Sequence, residues 1–190
     1  MDINKLNLLK NKINCIEDDE IKALFKEFYG EVLEVNKIAV IDDLTKVYNR
    51  RILTNDLDYD LLVMCDVDNF KAINDKLGHA MGDKVLIDIT QKFKKILGPN
   101  AIVCRYGGDE FTILFKNIDL ISCLDAMNII KDEINYDIDG VKVTISFGIS
   151  QKKDNKNINE VIEEADKALY KSKQEGKNKI TVFKEKLKKK

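Results

Sequence analysis

Leu61-Leu62-Val63-Met64-Cys65 has no polar side chain, and Asp66-Val67-Asp68 follows it directly. That juncture constrains the fold more than any other feature of the chain. A five-residue apolar run reads as a buried strand, and acids at its end cost stability unless a cation or a helix N-terminus meets them. Around it, strand-like and helix-like segments alternate. Met81 to Leu97 has helical spacing, Ala101 to Arg105 and Phe111 to Phe115 read as strands, and Leu120 to Ile134 as a helix. Val141 to Ile149 then reads as one strand, Ile158 to Lys173 as a helix and Lys179 to Phe183 as a short last strand. This order predicts an α/β (α+β) fold: a central mixed sheet with flanking helices on one face, an antiparallel hairpin at its middle, and a helical segment in front.

The 190 residues suffice for one sizeable core and not for two full domains. We divide them into a helical segment over 1–41, a main domain over 42–184 and a basic tail over 185–190. In the first segment Ile21, Leu24, Phe28, Val35 and Ile38 follow three-four spacing, a short seam that either packs on its own domain or pairs with a second copy. Charge is nearly balanced, 32 Lys and Arg against 33 Asp and Glu, so no global basic field points to nucleic acid. Hydrophobic residues at 44% and charged residues at 34% fit a soluble globular chain. No apolar run approaches a membrane span and the start does not resemble a signal peptide, so the expected location is cytoplasmic. Cys15, Cys65, Cys104 and Cys123 lie far apart without a Cys-x-x-Cys pair, and are expected as reduced thiols.

Chemistry concentrates at two places. Period-two geometry puts Asp66 and Asp68 on the same side of the strand, where a metal could meet them; Asp68, followed by Asn69-Phe70-Lys71, also reads as a helix cap. The second place is Arg105-Tyr106-Gly107-Gly108-Asp109-Glu110-Phe111. A Gly-Gly pair between strands supplies positive φ for a hairpin turn. Two carboxylates at such a turn repel each other unless metal ions and a nucleotide triphosphate join them, and bare glycine backbone lets bulky phosphates approach.

Arg105 to Phe111 matches the GGDEF signature, and the chain resembles the diguanylate cyclase family, which makes a bacterial second messenger. Asp42-Asp43-Leu44-Thr45 with Asn49-Arg50-Arg51 resembles the family's opening motif. Asp66-Val67-Asp68-Asn69-Phe70-Lys71-Ala72-Ile73-Asn74-Asp75, with Gly78-His79 and Gly82-Asp83 behind it, resembles its central one. Ser146-Phe147-Gly148-Ile149 and Ala165 to Tyr170, then Lys173 and Gly176-Lys177-Asn178, resemble its close.

The resemblance implies a palm-like nucleotidyl cyclase fold and an enzyme that condenses two GTP into cyclic di-GMP and pyrophosphate as a homodimer. It implies two Mg2+ or Mn2+ per active site on Asp66, the Val67 carbonyl, Asp109 and Glu110, with Asp109, Glu110 and Lys71 catalytic. Asn74 and Asp83 would read guanine. Phe70, Lys71, Gly107, Gly108, Lys173 and Lys177 would line the substrate, the lysines on phosphates. An upstream sensor or partner protein would act through the first helices; a binder without activity and a cyclase with another product are the rival readings. His79, Asp42, Leu44, Asn49 and Arg51 are expected to be structural. One departure stands out: Gly98 and Ala101 occupy the positions where many members carry the Arg and Asp of an R-x-x-D product-inhibition site, so that site is expected to be missing.

Overall fold

In the computed structural model, which describes residues 3–17, 19–54, 57–153 and 156–185, the first segment forms two helices, α1 (Ile3–Asn14) and α2 (Asp19–Val40). Beyond them come β1 (Tyr48–Asn49), a 3-10 turn at Arg50–Thr54, β2 (Leu61–Val67), α3 (Phe70–Leu77), α4 (His79–Leu97), β3 (Ala101–Arg105) and β4 (Glu110–Phe115). The chain closes with α5 (Leu120–Glu133), β5 (Tyr136–Ile138), β6 (Val141–Val143), β7 (Ile145–Gln151), α6 (Ile158–Gln174) and β8 (Ile180–Val182). The basic tail beyond Glu185 lies outside the described residues.

Six strands form one mixed sheet in the order β1-β3-β4-β2-β7-β8. The outer pairs β1–β3 and β7–β8 are parallel, and the inner pairs are antiparallel. β2 sits in the middle and is buried at every position, as its unbroken apolar run requires.

Two sequence expectations need correction. Helices cover both faces of the sheet, not one. Leu61, Val63, Cys65 and Val67 face α4 and α5, whereas Leu62 and Met64 face α6 through Val161, Ala165 and Leu169. A central strand apolar at successive positions has two faces to bury, so one helical layer could not satisfy it. The expected strand from Val141 to Ile149 is two strands: β6 pairs only with β5 in a separate hairpin, and β7 alone enters the main sheet. Asp139 and Gly140, at φ 49° and 74°, turn that hairpin, and the Gly140 amide donates to Asp137 Oδ1 at 2.8 Å. Between them, α4 and β4 meet through an edge-to-face pair of Phe93 and Phe111, 5.6 Å between centroids.

Ile21, Leu24 and Phe28 of the expected seam are exposed by 46%, 67% and 56%, so the domain does not bury them; the side chains of Val35 and Ile38 lie outside the described residues. Asp166 and Tyr170 also face outward on α6. Cys65, Cys104 and Cys123 are buried free thiols and Cys15 is an exposed one. Burial pushes the Cys104 and Cys123 thiols up to about 12, Asp42 adding to the effect at Cys104. No helix of the described residues is long and apolar enough to cross a membrane.

Candidate active site

The strand register brings the two acidic places together. Asp66 pairs with Glu110 across β2 and β4, and with Ser146 across β2 and β7. The Val67 amide donates to the Asp109 carbonyl at 3.2 Å. Asp66, Asp109 and Glu110 therefore meet at one end of the sheet, where the β3–β4 turn reaches over the end of β2. Asp109 and Glu110 are half-buried, less open than a hairpin tip.

The turn is not the tight glycine hairpin that the sequence predicts. Neither Gly107 nor Gly108 adopts a positive φ. What confines Gly107 is contact, since a Cβ there would lie 2.8 Å from Glu110 Oε2. The turn is held from outside: Arg105 donates to the Gly108 carbonyl from Nε at 3.0 Å and from Nη2 at 2.7 Å. Its Nη1 donates to Asp42 Oδ1 at 3.1 Å, and Asp42 in turn accepts from the amide and hydroxyl of Thr45. Asp42 thus joins the exit of α2 to the acidic turn. Burial alone would raise its carboxyl, but the Thr45 hydrogen bonds and the Arg105 guanidinium hold it below the usual carboxylate value. Asn49 also serves this corner by donating to the Ile41 carbonyl and accepting from the Arg51 amide.

Asp66 is a buried acid under electrostatic load. Its carboxyl is raised to about 6, above all by burial and further by Asp109 and Glu110, against the opposing pull of Lys173 at 2.7 Å. Lys173, expected on phosphate, thus stands on a carboxylate. Asp68 departs from its expected role as a helix cap. It is 1% exposed and accepts from Thr144 Oγ1 at 2.8 Å, Ser146 Oγ at 2.7 Å and the Asn178 amide at 3.0 Å. The residue before α3 is Asn69, in the left-handed region at φ 56° and without a side-chain cap. Its Oδ1 accepts from the Lys177 ammonium. Sequence reasoning missed Thr144, Ser146 and Asn178 as anchors, although hydroxyls at alternate positions of an apolar strand were a visible signal.

The remaining expected substrate residues lie on α3 and α4. Lys71 is exposed in the first turn of α3, whose opening amides have no partners within the helix. Asn74 lies half-buried against the bare backbone of Gly82, where a Cβ would come 1.9 Å from its Oδ1 and 3.1 Å from Phe70 Cζ. Asp83 follows, exposed. His79 is exposed at the first position of α4, and joins no cluster of possible metal ligands among the described residues.

Oxygen donors alone, on one buried and two half-buried acids, suit a hard divalent cation. Such an ion would offset both the burial that chiefly raises Asp66 and the smaller repulsion from Asp109 and Glu110. No three His, Cys, Asp or Glu side chains among the described residues are already gathered as a metal cluster. In this arrangement Lys173 supplies part of the positive charge.

Residues 39–179 match the family model described as "Diguanylate cyclase, GGDEF domain". Diguanylate cyclase A of Treponema denticola is 37% identical over 132 residues, which is 66% of this chain and 36% of that protein. Diguanylate cyclase DgcP of Pseudomonas aeruginosa is 29% identical over 194 residues, 94% of this chain and 28% of that protein. The chain thus spans about a third of the length of these curated relatives. The crystal structure of the coiled coil and GGDEF domain of DgcB from Caulobacter crescentus, in complex with c-di-GMP, superposes with a TM-score of 0.76 at 26% identity. That match covers 86% of this chain and 95% of the other.

Proposed function

We propose that this chain, which belongs to the diguanylate cyclase family of GGDEF domains, condenses two GTP molecules into cyclic di-GMP with release of two pyrophosphates. The observation that carries the proposal is the meeting of Asp66, Asp109 and Glu110 at one end of the sheet, beside Lys173.

Each residue then has a task. Lys71 and Lys177 hold phosphates, Lys173 balances the charge of Asp66 beside them, and the Gly107-Gly108 backbone lets the phosphates come close. Asn74 and Asp83 read guanine: a carboxylate accepts from N1-H and the exocyclic amine together, a donor pair that adenine lacks. Phe70 and Asn74 both face the bare backbone of Gly82. Mg2+ or Mn2+, two per site on Asp66, the Val67 carbonyl, Asp109 and Glu110, would supply charge neutralisation to the triphosphate and acidify the ribose hydroxyl. One of Asp109 and Glu110 takes the 3′-hydroxyl proton. The 3′-oxygen attacks the α-phosphorus of the other GTP, the bond to the β-phosphate breaks, and pyrophosphate leaves.

Each copy carries one set of these groups, so closing both links needs two copies facing each other across a two-fold axis. The apolar side chains that α2 exposes at Leu24, Phe25 and Phe28 support a helix pair as the means of bringing them together. An input from a sensor or partner protein would enter through the same helix, in the cytoplasm. The experiment is incubation of the protein with Mg2+ and GTP, ATP or both, followed by mass spectrometry. Cyclic di-GMP alone is expected; a product containing adenine, or none, would overturn the proposal.

A further inference from the structure

Among the described residues Asp68 is the one buried acid that the chemistry above does not use, and its surroundings give it a task. Its two oxygens accept three hydrogen bonds from three segments far apart in sequence: Thr144 before β7, Ser146 within β7, and the Asn178 amide in the α6–β8 loop. Its own amide donates to the Thr144 carbonyl at 2.9 Å. The loop it grips needs gripping. Gly176, Lys177 and Asn178 all have positive φ, at 109°, 62° and 49°, a region that is unfavourable for residues other than glycine. Lys177, next to the Asp68-bound Asn178, is tied back to α6 by its amide, which donates to the Ser172 carbonyl at 3.0 Å, and its ammonium reaches Asn69, the neighbour of Asp68. Asn69 in turn opens α3, which carries Lys71. Two links, Asp68 to Asn178 and Asn69 to Lys177, close this loop onto the start of α3.

We propose that Asp68 is a positioning residue for the substrate: by pinning the α6–β8 loop to the start of α3, it holds Lys177 and Lys71 at the spacing a triphosphate needs. The inference rests on the reading of those lysines as phosphate contacts. It assigns Asp68 no direct touch on metal or nucleotide.

An anchor and a ligand respond differently to an amide. In Asp68→Asn the amide oxygen can replace Oδ2 toward Thr144 and Asn178, while the amide nitrogen can donate to the Ser146 hydroxyl, which is able to accept. Calorimetry with a non-hydrolysable GTP analogue and Mg2+ reads the outcome without turnover. Asp68→Ala is expected to weaken binding about tenfold, and Asp68→Asn to restore it to within about threefold of the parent. Lys177→Ala, costing about tenfold in the parent, is expected to cost less than about twofold on the Asp68→Ala background, because the two act as one unit. An Asp68→Asn protein that folds and binds as poorly as Asp68→Ala, or as Asp66→Asn, would overturn the proposal by showing that the charge itself is required. Equal Lys177→Ala losses on both backgrounds would overturn it too. If Asp68→Ala does not fold, the folded Asp68→Asn protein decides alone. A parent that binds the analogue yet makes no cyclic di-GMP defeats the proposed function and leaves this inference standing, whereas a parent that binds no analogue defeats both.

Discussion

At Gly148 the backbone of α6 comes directly against that of β7, and Gly148→Ala should be among the most damaging single changes in the domain. A Cβ at that position would lie 2.1 Å from the Ala165 carbonyl oxygen, 2.2 Å from the Leu169 amide nitrogen and 2.8 Å from Leu169 Cα, all backbone atoms of α6. No side chain can rotate away, so the helix must retreat by about 1 Å or more to recover ordinary contact. A gap of that size forfeits a quarter to a half of the dispersion energy along the face that Val161, Ala165 and Leu169 press on the sheet. It also pulls Ser172 off the Phe147 carbonyl, to which its hydroxyl donates at 2.8 Å, and draws Lys173 from Asp66. Overpacking typically costs 1–3 kcal/mol; with backbone as the obstacle, the loss should be about 3 kcal/mol. Urea unfolding followed by circular dichroism measures it, as a lower midpoint with an unchanged slope. A loss below about 1 kcal/mol would show that the sheet and helix can separate without cost, and would refute this reasoning.

Three further outcomes are expected. Gly82→Ala puts a methyl 1.9 Å from Asn74 Oδ1, so the amide swings out of its place; binding of the GTP analogue should weaken about tenfold with little change in melting temperature, and unchanged binding would remove Asn74 from guanine reading. Asp42 has a folded pKa below its ordinary 3.8, so the stability it contributes is complete above that value and is lost as pH falls through the lowered one. The stability gap between parent and Asp42→Asn should therefore hold level from neutral pH down to about pH 5 and close only below about pH 4; a gap that persists unchanged into strong acid would contradict the Arg105 bridge. Gly98 and Ala101 offer neither a guanidinium fork nor a carboxylate, so calorimetry with cyclic di-GMP, the active site filled by the GTP analogue, should show no second binding event at low micromolar ligand. Such an event would reveal another inhibitory site.

Most of the fold was legible because its signals are local. The apolar run of β2, the period of α4 and the acids of the β3–β4 turn each declare themselves within a few residues. The β5–β6 hairpin was legible too, since Asp139-Gly140 between alternating residues is a strong turn signal; reading Val141 to Ile149 as one strand hid it. The second helical face was implied by β2 itself, which could not bury Leu62 and Met64 against the helices that cover Val63 and Cys65. What no local pattern could reveal was the task of Asp68. Its partners lie 76, 78 and 110 positions away, and only the folded sheet brings them to it. The Lys173–Asp66 bridge is hidden for the same reason.

The central claim is that the acidic turn carries out the condensation, and quantifying both products tests it most directly. Parent, Asp109→Ala and Glu110→Ala proteins would be incubated with GTP and Mg2+, with pyrophosphate and cyclic di-GMP measured together and folding checked by circular dichroism. The parent should release two pyrophosphates for each cyclic di-GMP. Each variant should stay folded and make less than about a tenth as much product, the loss expected when a group essential to the reacting centre is removed. A folded variant that keeps its activity, or a parent that releases pyrophosphate without cyclic di-GMP, would contradict the claim.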